Sequence, residues 1–174
     1  MLKAFLAGLV LGVVALVTGF WLYFAMGGAP VATTENPMPF EKRLAGMALH
    51  ARLDRQKPVE PPVAADEPNF LAGAAVYKQH CAVCHGLPGR EPTAIASGMY
   101  PPPPTLLEGN GVTDDPAWET HWKAANGIRM SGMPGFRSKL TDTQLWQVSQ
   151  LLAHADKISE SVKKALAGET QNPR

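Results

Sequence analysis

The sequence has little net charge, few cysteines and almost nothing that reads as a β-strand. Sixteen Lys and Arg against fifteen Asp and Glu leave a formal charge of +1 over 174 residues. No Lys/Arg run, RNA-binding motif or zinc-finger spacing occurs, which argues against a nucleic-acid partner. No internal repeat is present either. The length suits one compact domain with added segments rather than two full domains. Sixteen prolines are many for this length, but they cluster at Pro58, Pro61, Pro62 and Pro68 and again at Pro101 to Pro104. Such clusters predict extended linkers and a stiff loop rather than low-complexity disorder.

One stretch lacks charge altogether. From Ala4 to Met26 the chain reads AFLAGLVLGVVALVTGFWLYFAM. A helix of that length rises roughly 35 Å, enough to cross a hydrocarbon core of about 30 Å. Trp21, Tyr23 and Phe24 stand at its far end, where interfacial aromatics belong. A cleaved signal peptide would have a shorter apolar region and a small-residue cleavage site. Here Gly27-Gly28-Ala29 runs straight into Pro30, so residues 1–27 are expected to be a retained anchor in contact with lipid through residues 4–26. Lys3 before the span, and only Glu35 in residues 27–40 after it, favour an inside N-terminus with the bulk of the chain outside. The basic residues Lys42, Arg43, Arg52, Arg55 and Lys57 weigh weakly the other way.

Residues 28–65 then form a spacer with a short helix and a Pro-rich linker. The helix is expected within residues 39–57, with Phe40, Leu44, Met47 and Ala51 on one face packed against the main domain. Residues 66–157 are the expected globular unit, with three helical stretches separated by Gly- and Pro-rich loops. The first starts near Asn69 as N-cap and runs into Cys81; the second lies around Ala117 to Asn126. The third follows Thr141 as N-cap and buries Leu145, Val148, Leu151 and Leu152. Residues 158–174 read as a polar C-terminal tail, helical at first.

The two cysteines, Cys81 and Cys84, lie in H-C-A-V-C-H-G. A structural zinc site takes four ligands, and no downstream histidine pair completes one. A thioredoxin-like dithiol expects a β-α-β context, which this helical unit lacks. Covalent haem attachment needs what is present: two thiols three residues apart, and His85 directly after them as proximal iron ligand. A sixth ligand is available downstream in G-I-R-M-S-G-M-P-G-F, where Met130 and Met133 sit in a sharply turning loop. Met99 reads as a loop-packing residue. His50, His121 and His154 read as surface or packing histidines, and His80 points elsewhere on its helix.

With these residues the chain resembles the class I c-type cytochromes, in particular small membrane-anchored monohaem members. The resemblance covers residues 66–157 and implies an all-α, cytochrome c-like haem domain behind the transmembrane helix. It implies one covalent haem c on Cys81 and Cys84, with His85 and Met133 as axial ligands. Met133 is selected over Met130 because the family's ligand commonly sits in a Met-Pro pair before the last helix. Gly73 and Tyr77, spaced by four from each other and from Cys81, match the family's close helix crossing and its neighbouring aromatic. Leu151 stands where an aromatic is common, so a looser crossing is expected there. Pro104-Thr105-Leu106 resembles the family's Pro-x-Leu, whose proline carbonyl holds the ring N–H of the proximal histidine.

Two axial ligands leave no open coordination site for a substrate, so the resemblance implies an electron carrier rather than an enzyme. It is either a tethered shuttle or a subunit of an oxidoreductase complex. The expected site is the periplasmic face of a bacterial cytoplasmic membrane, in a respiratory chain. A quinol-oxidising complex, terminal oxidase or dehydrogenase would be the redox partner. The rival reading is a five-coordinate haem enzyme or gas sensor with Met133 as mere packing, but no distal acid/base pair stands out to support it. Residues 66–157 carry nine acidic and seven basic side chains, so a strongly basic docking face is not expected.

Overall fold

The computed structural model describes residues 1–168, and among them the chain is helical without strands, apart from one isolated bridge between Ile128 and Met133. Met1–Glu41 and the chain from Lys42 onward are two compact units. The first holds α1, Leu2–Ala25, a 24-residue helix with no buried residue. It is long and apolar enough to cross a membrane. Past its end Gly28 N–H donates to Tyr23 O, and the Glu35 carboxylate accepts from the backbone N–H groups of Val31 and Ala32.

In the second unit, α2 spans Glu41–Leu53. The expected packing of its Leu44 and Met47 face is not found. Leu44 is 62% and Met47 58% exposed, and the buried residue of this helix is Leu53. Phe40 precedes the helix with φ 65° instead of joining its face. The reason lies in the periodicity: Leu49 and Leu53 fall on the side opposite Leu44 and Met47, and the burial falls on that side, at Leu53. The linker that follows is not free chain, since Gln150 on the last expected helix donates to the Val63 carbonyl.

The core is built by α3 (Glu67–His80), α6 (Ala117–Asn126), α7 (Asp142–Ala153) and α8 (Glu160–Ala167). Asp66, not Asn69, caps α3: its carboxylate accepts from Asn69 N–H, and Pro68 fills the first turn, where no N–H is needed. Thr141 caps α7 in a capping box with Gln144. Packing of α3 on α7 centres on Gly73. A Cβ there would lie 2.8 Å from the Gln147 carbonyl carbon and 3.1 Å from Leu151 Cβ. The crossing is therefore tight despite Leu151 replacing an aromatic. Gly73→Ala gains helix propensity but must push two backbones apart. We expect a net loss of about 1–3 kcal/mol, read as a lower thermal midpoint with the haem spectrum retained.

The expected polar tail is corrected by α8. The chain breaks at His154–Ser159 and Ser159 caps a new helix. Ile158, Val162 and Leu166, four apart, are 9%, 0% and 1% exposed and join the core against α3. Burial of this stripe makes residues 158–167 part of the domain. The remainder of that expected tail, residues 169–174, lies outside the described residues. Two short helices were not expected from the sequence: α4, Ala82–His85, and α5, Ala94–Ser97, capped by Thr93.

Candidate haem site

Cys81 ends α3 and begins α4, so Cys84 and His85 are set by a single helical turn closed by Cys84 and His85 N–H donating to Cys81 O. Gly86, at φ 75°, ends that turn. Tyr77, fully buried one turn before Cys81, donates its hydroxyl to the Gly86 carbonyl at 2.9 Å. Burial holds the phenol well above its ordinary pKa, so it stays a donor. The turn carrying the cysteines and histidine is thereby fastened to α3 from both ends.

Both cysteines are free and half-buried. Burial, and then the neighbouring Cys84, push the Cys81 thiol up to about 12. Reactive dithiols have depressed pKa values, and Cys81 is held in the opposite direction. Among the described residues no group of three or more His, Cys, Asp or Glu assembles that could hold a metal. The four-ligand zinc alternative thus lacks its donors.

The His85 ring nitrogen Nδ1 lies 2.8 Å from the Pro104 carbonyl. A carbonyl only accepts, so Nδ1 carries the proton and Nε2 keeps its lone pair. Burial pulls the His85 pKa below its ordinary value, partly opposed by the Pro104 bond. The result is a neutral imidazole with a fixed tautomer and one nitrogen free to ligate, the state an iron ligand requires. A cavity of about 220 Å³ opens beside it, walled by Cys84, His85, Pro103 and Leu107 among others. The loop supplying Pro104 is long, but it is tied down: Thr93 donates to Val83 O, and Gly89 N–H donates to the Glu108 carboxylate.

Met133 is not part of that cavity wall; it is held by its own loop. Ile128 N–H donates to Met133 O, Ser131 Oγ donates to Ile128 O, and Met133 N–H donates to Ser131 Oγ. The loop then returns to α6 through Phe136 N–H on Ala124 O and Arg137 N–H on Ala125 O. Gly127, at φ 71°, permits this closure, because a Cβ there would meet Met133 O at 2.8 Å. Met133 is half-buried, whereas Met130 sits at the loop tip with φ 63° and is 72% exposed. Met99 reaches the same loop: its Cε lies 2.9 Å from where a Gly132 Cβ would stand. The roles of Ser131 and Gly127 are not legible in sequence, since their partners meet them only when the loop closes.

Three of the other histidines have neighbours of their own. His121 stacks on Trp146 at 4.0 Å and contacts Asp142 at 2.9 Å. His154 Nδ1 lies 2.9 Å from Gln150 O, and His80 sits 5.9 Å from the Phe136 ring. His50 is exposed on α2.

The profile of the family described as "Cytochrome C oxidase, cbb3-type, subunit III" matches residues 68–152. That segment runs from the first turn of α3 to the end of α7, enclosing the cysteine pair, Pro104 and the methionine loop. By this match the helical domain is cytochrome c-like, which suggests haem-based electron transfer. Among solved structures, a chain of the Kuenenia stuttgartiensis reducing HAO-like protein complex is similar, with a TM-score of 0.47 and 22% identity. The likeness covers 59% of this chain and 53% of that one, so this chain spans about half of that chain's length. No curated protein matches the sequence significantly.

Proposed function

We propose that the protein is a membrane-tethered monohaem c-type cytochrome that passes single electrons between redox proteins outside the cytoplasmic membrane. In this reading Cys81 and Cys84 each bind haem through a thioether, and His85 Nε2 and Met133 sulfur take the two axial positions. Residues 1–27 are the anchor and residues 66–157, extended by α8, the haem domain. The observation that carries the reading is the His85–Pro104 hydrogen bond at 2.8 Å directly behind a free cysteine pair.

When bound, haem supplies reversible one-electron exchange between ferric and ferrous iron. The chain's own residues set the terms. Pro104 O fixes the His85 ring and raises its basicity. The soft thioether of Met133 raises the potential relative to a second histidine. With His85 and Met133 both holding iron, no substrate would reach it, and outer-sphere exchange of single electrons would be the chemistry left. Val83, Ile95 and Met130 are 43%, 58% and 72% exposed. Exposed apolar side chains of this kind suit small, transient redox encounters. The tether confines those encounters to membrane partners and raises their effective concentration. Similarity to an oxidase subunit family favours a respiratory partner such as a terminal oxidase, a quinol-oxidising complex or a dehydrogenase, on the periplasmic side of a bacterial inner membrane.

Redox titration of the protein purified in mild detergent tests this reading. One reversible one-electron couple per polypeptide is expected. A multi-haem titration, or none, would overturn it. The anchor has its own expected outcome: alkaline carbonate leaves the protein in membranes, and the intact mass includes residues of α1. Release by carbonate with a mature N-terminus near Pro30 would contradict it.

A further inference from the structure

The short helix after the span carries two apolar faces, one ending in buried Leu53 and the other open. At roughly 100° per residue, Leu49 and Leu53 point to one side and Leu44, Met47 and Ala51 to the other. Leu53 is 3% exposed, while Leu44 and Met47 remain 62% and 58% exposed. Charge is uneven too. Residues 40–57 hold five Lys and Arg against Glu41 and Asp54, a net +3. Residues 66–157 hold seven basic against nine acidic, a net −2. The excess positive charge of this half of the molecule is thus concentrated on α2 and the residues just after it. Arg43 and Arg52, both exposed, flank the open apolar strip on either side.

We infer that α2 lies on the bilayer surface, with Leu44 and Met47 in the headgroup–acyl boundary and its flanking arginines on anionic phospholipid headgroups. The inference rests on the anchor reading of α1. A basic helix with an exposed apolar face is the chemistry that binds anionic interfaces. Connectivity allows it. Fifteen residues separate Ala25 from Glu41, a link long enough for α2 to reach the surface of a bilayer that α1 crosses, since it spans at most about 50 Å. Because the chain from Lys42 onward is one compact unit, α2 would act as a strap that limits how the haem domain turns above the membrane. The orientation of the electron-exchanging edge would then be restricted, beyond the confinement a flexible tether provides.

The test is photocrosslinking of the full-length holoprotein in vesicles. Met47→p-benzoylphenylalanine is compared with the same label at Lys42, in phosphatidylcholine alone and with phosphatidylglycerol added. Leu44→p-benzoylphenylalanine serves if the Met47 variant fails to take up haem. Phospholipid adducts severalfold above the Lys42 control, rising with phosphatidylglycerol, are expected. Adducts to a second copy of the chain, or no adduct, in protein that resists carbonate would overturn the inference while leaving the anchor intact. Protein released by carbonate would overturn the anchor instead. The inference about α2 is then decided by whether Met47 still labels lipid in phosphatidylglycerol vesicles that co-sediment with the protein.

Discussion

A chain with Cys81→Ala and Cys84→Ala together should lose haem completely on denaturation, where the wild type keeps it. The chain has no other cysteine, so on the proposed ligation their removal would leave only coordination by His85 and Met133 to hold haem. Coordination bonds do not survive denaturant and acid acetone; thioethers do. Haem-peroxidase staining after denaturing electrophoresis reads the difference as presence or absence. Each single variant should retain stain through the remaining thioether. Haem stripped from wild-type protein by acid acetone would refute the attachment. The effect on folding should also be large. Half-buried Cys81, Ala82, Leu87, Leu106 and Phe136 pack against the core, and an empty haem site would leave part of that apolar surface without a partner.

The second large effect is expected at Met133. Met133→Ala should open the sixth position, lower the potential by on the order of 100–200 mV within the roughly 0.8 V range that axial ligands command, and let carbon monoxide bind the reduced protein. The loop argues for a local change. Its shape is set by backbone and Ser131 bonds and by the positive φ of Gly127, none of which needs the Met133 side chain. Met130→Ala, by contrast, removes a side chain that is 72% exposed and should leave six-coordinate haem with a small shift in potential. The reverse pattern would move the ligand to Met130.

What could be read from sequence was what is contiguous. The uncharged run of α1, the C-x-x-C-H pentad and the Thr141 cap with its apolar stripe each declare themselves within a few residues. Elements that depend on partners did not. Helix α5 is a single turn, too short for any apolar period, and Thr93 alone marks its start. Helix α8 shows Ile158, Val162 and Leu166 four apart, yet its polar outer face made it read as a continuation of a solvated tail. In α2 the face of Leu44 and Met47 is the evident apolar one in sequence, yet it stays exposed and burial falls on the opposite side at Leu53. At the site, Pro-x-Leu pointed to Pro104 through a resemblance. The pinning of the methionine loop by Gly127 and Ser131, and its contact with Met99, required the folded loop itself.

The most direct measurement is the response of reduced wild-type holoprotein to carbon monoxide. With His85 and Met133 both on iron, no ligand position is open and the visible spectrum should remain unchanged over minutes of exposure. Rapid formation of a carbon monoxide adduct by the native, unmutated protein would mean a vacant sixth site, and would contradict its assignment as an electron carrier.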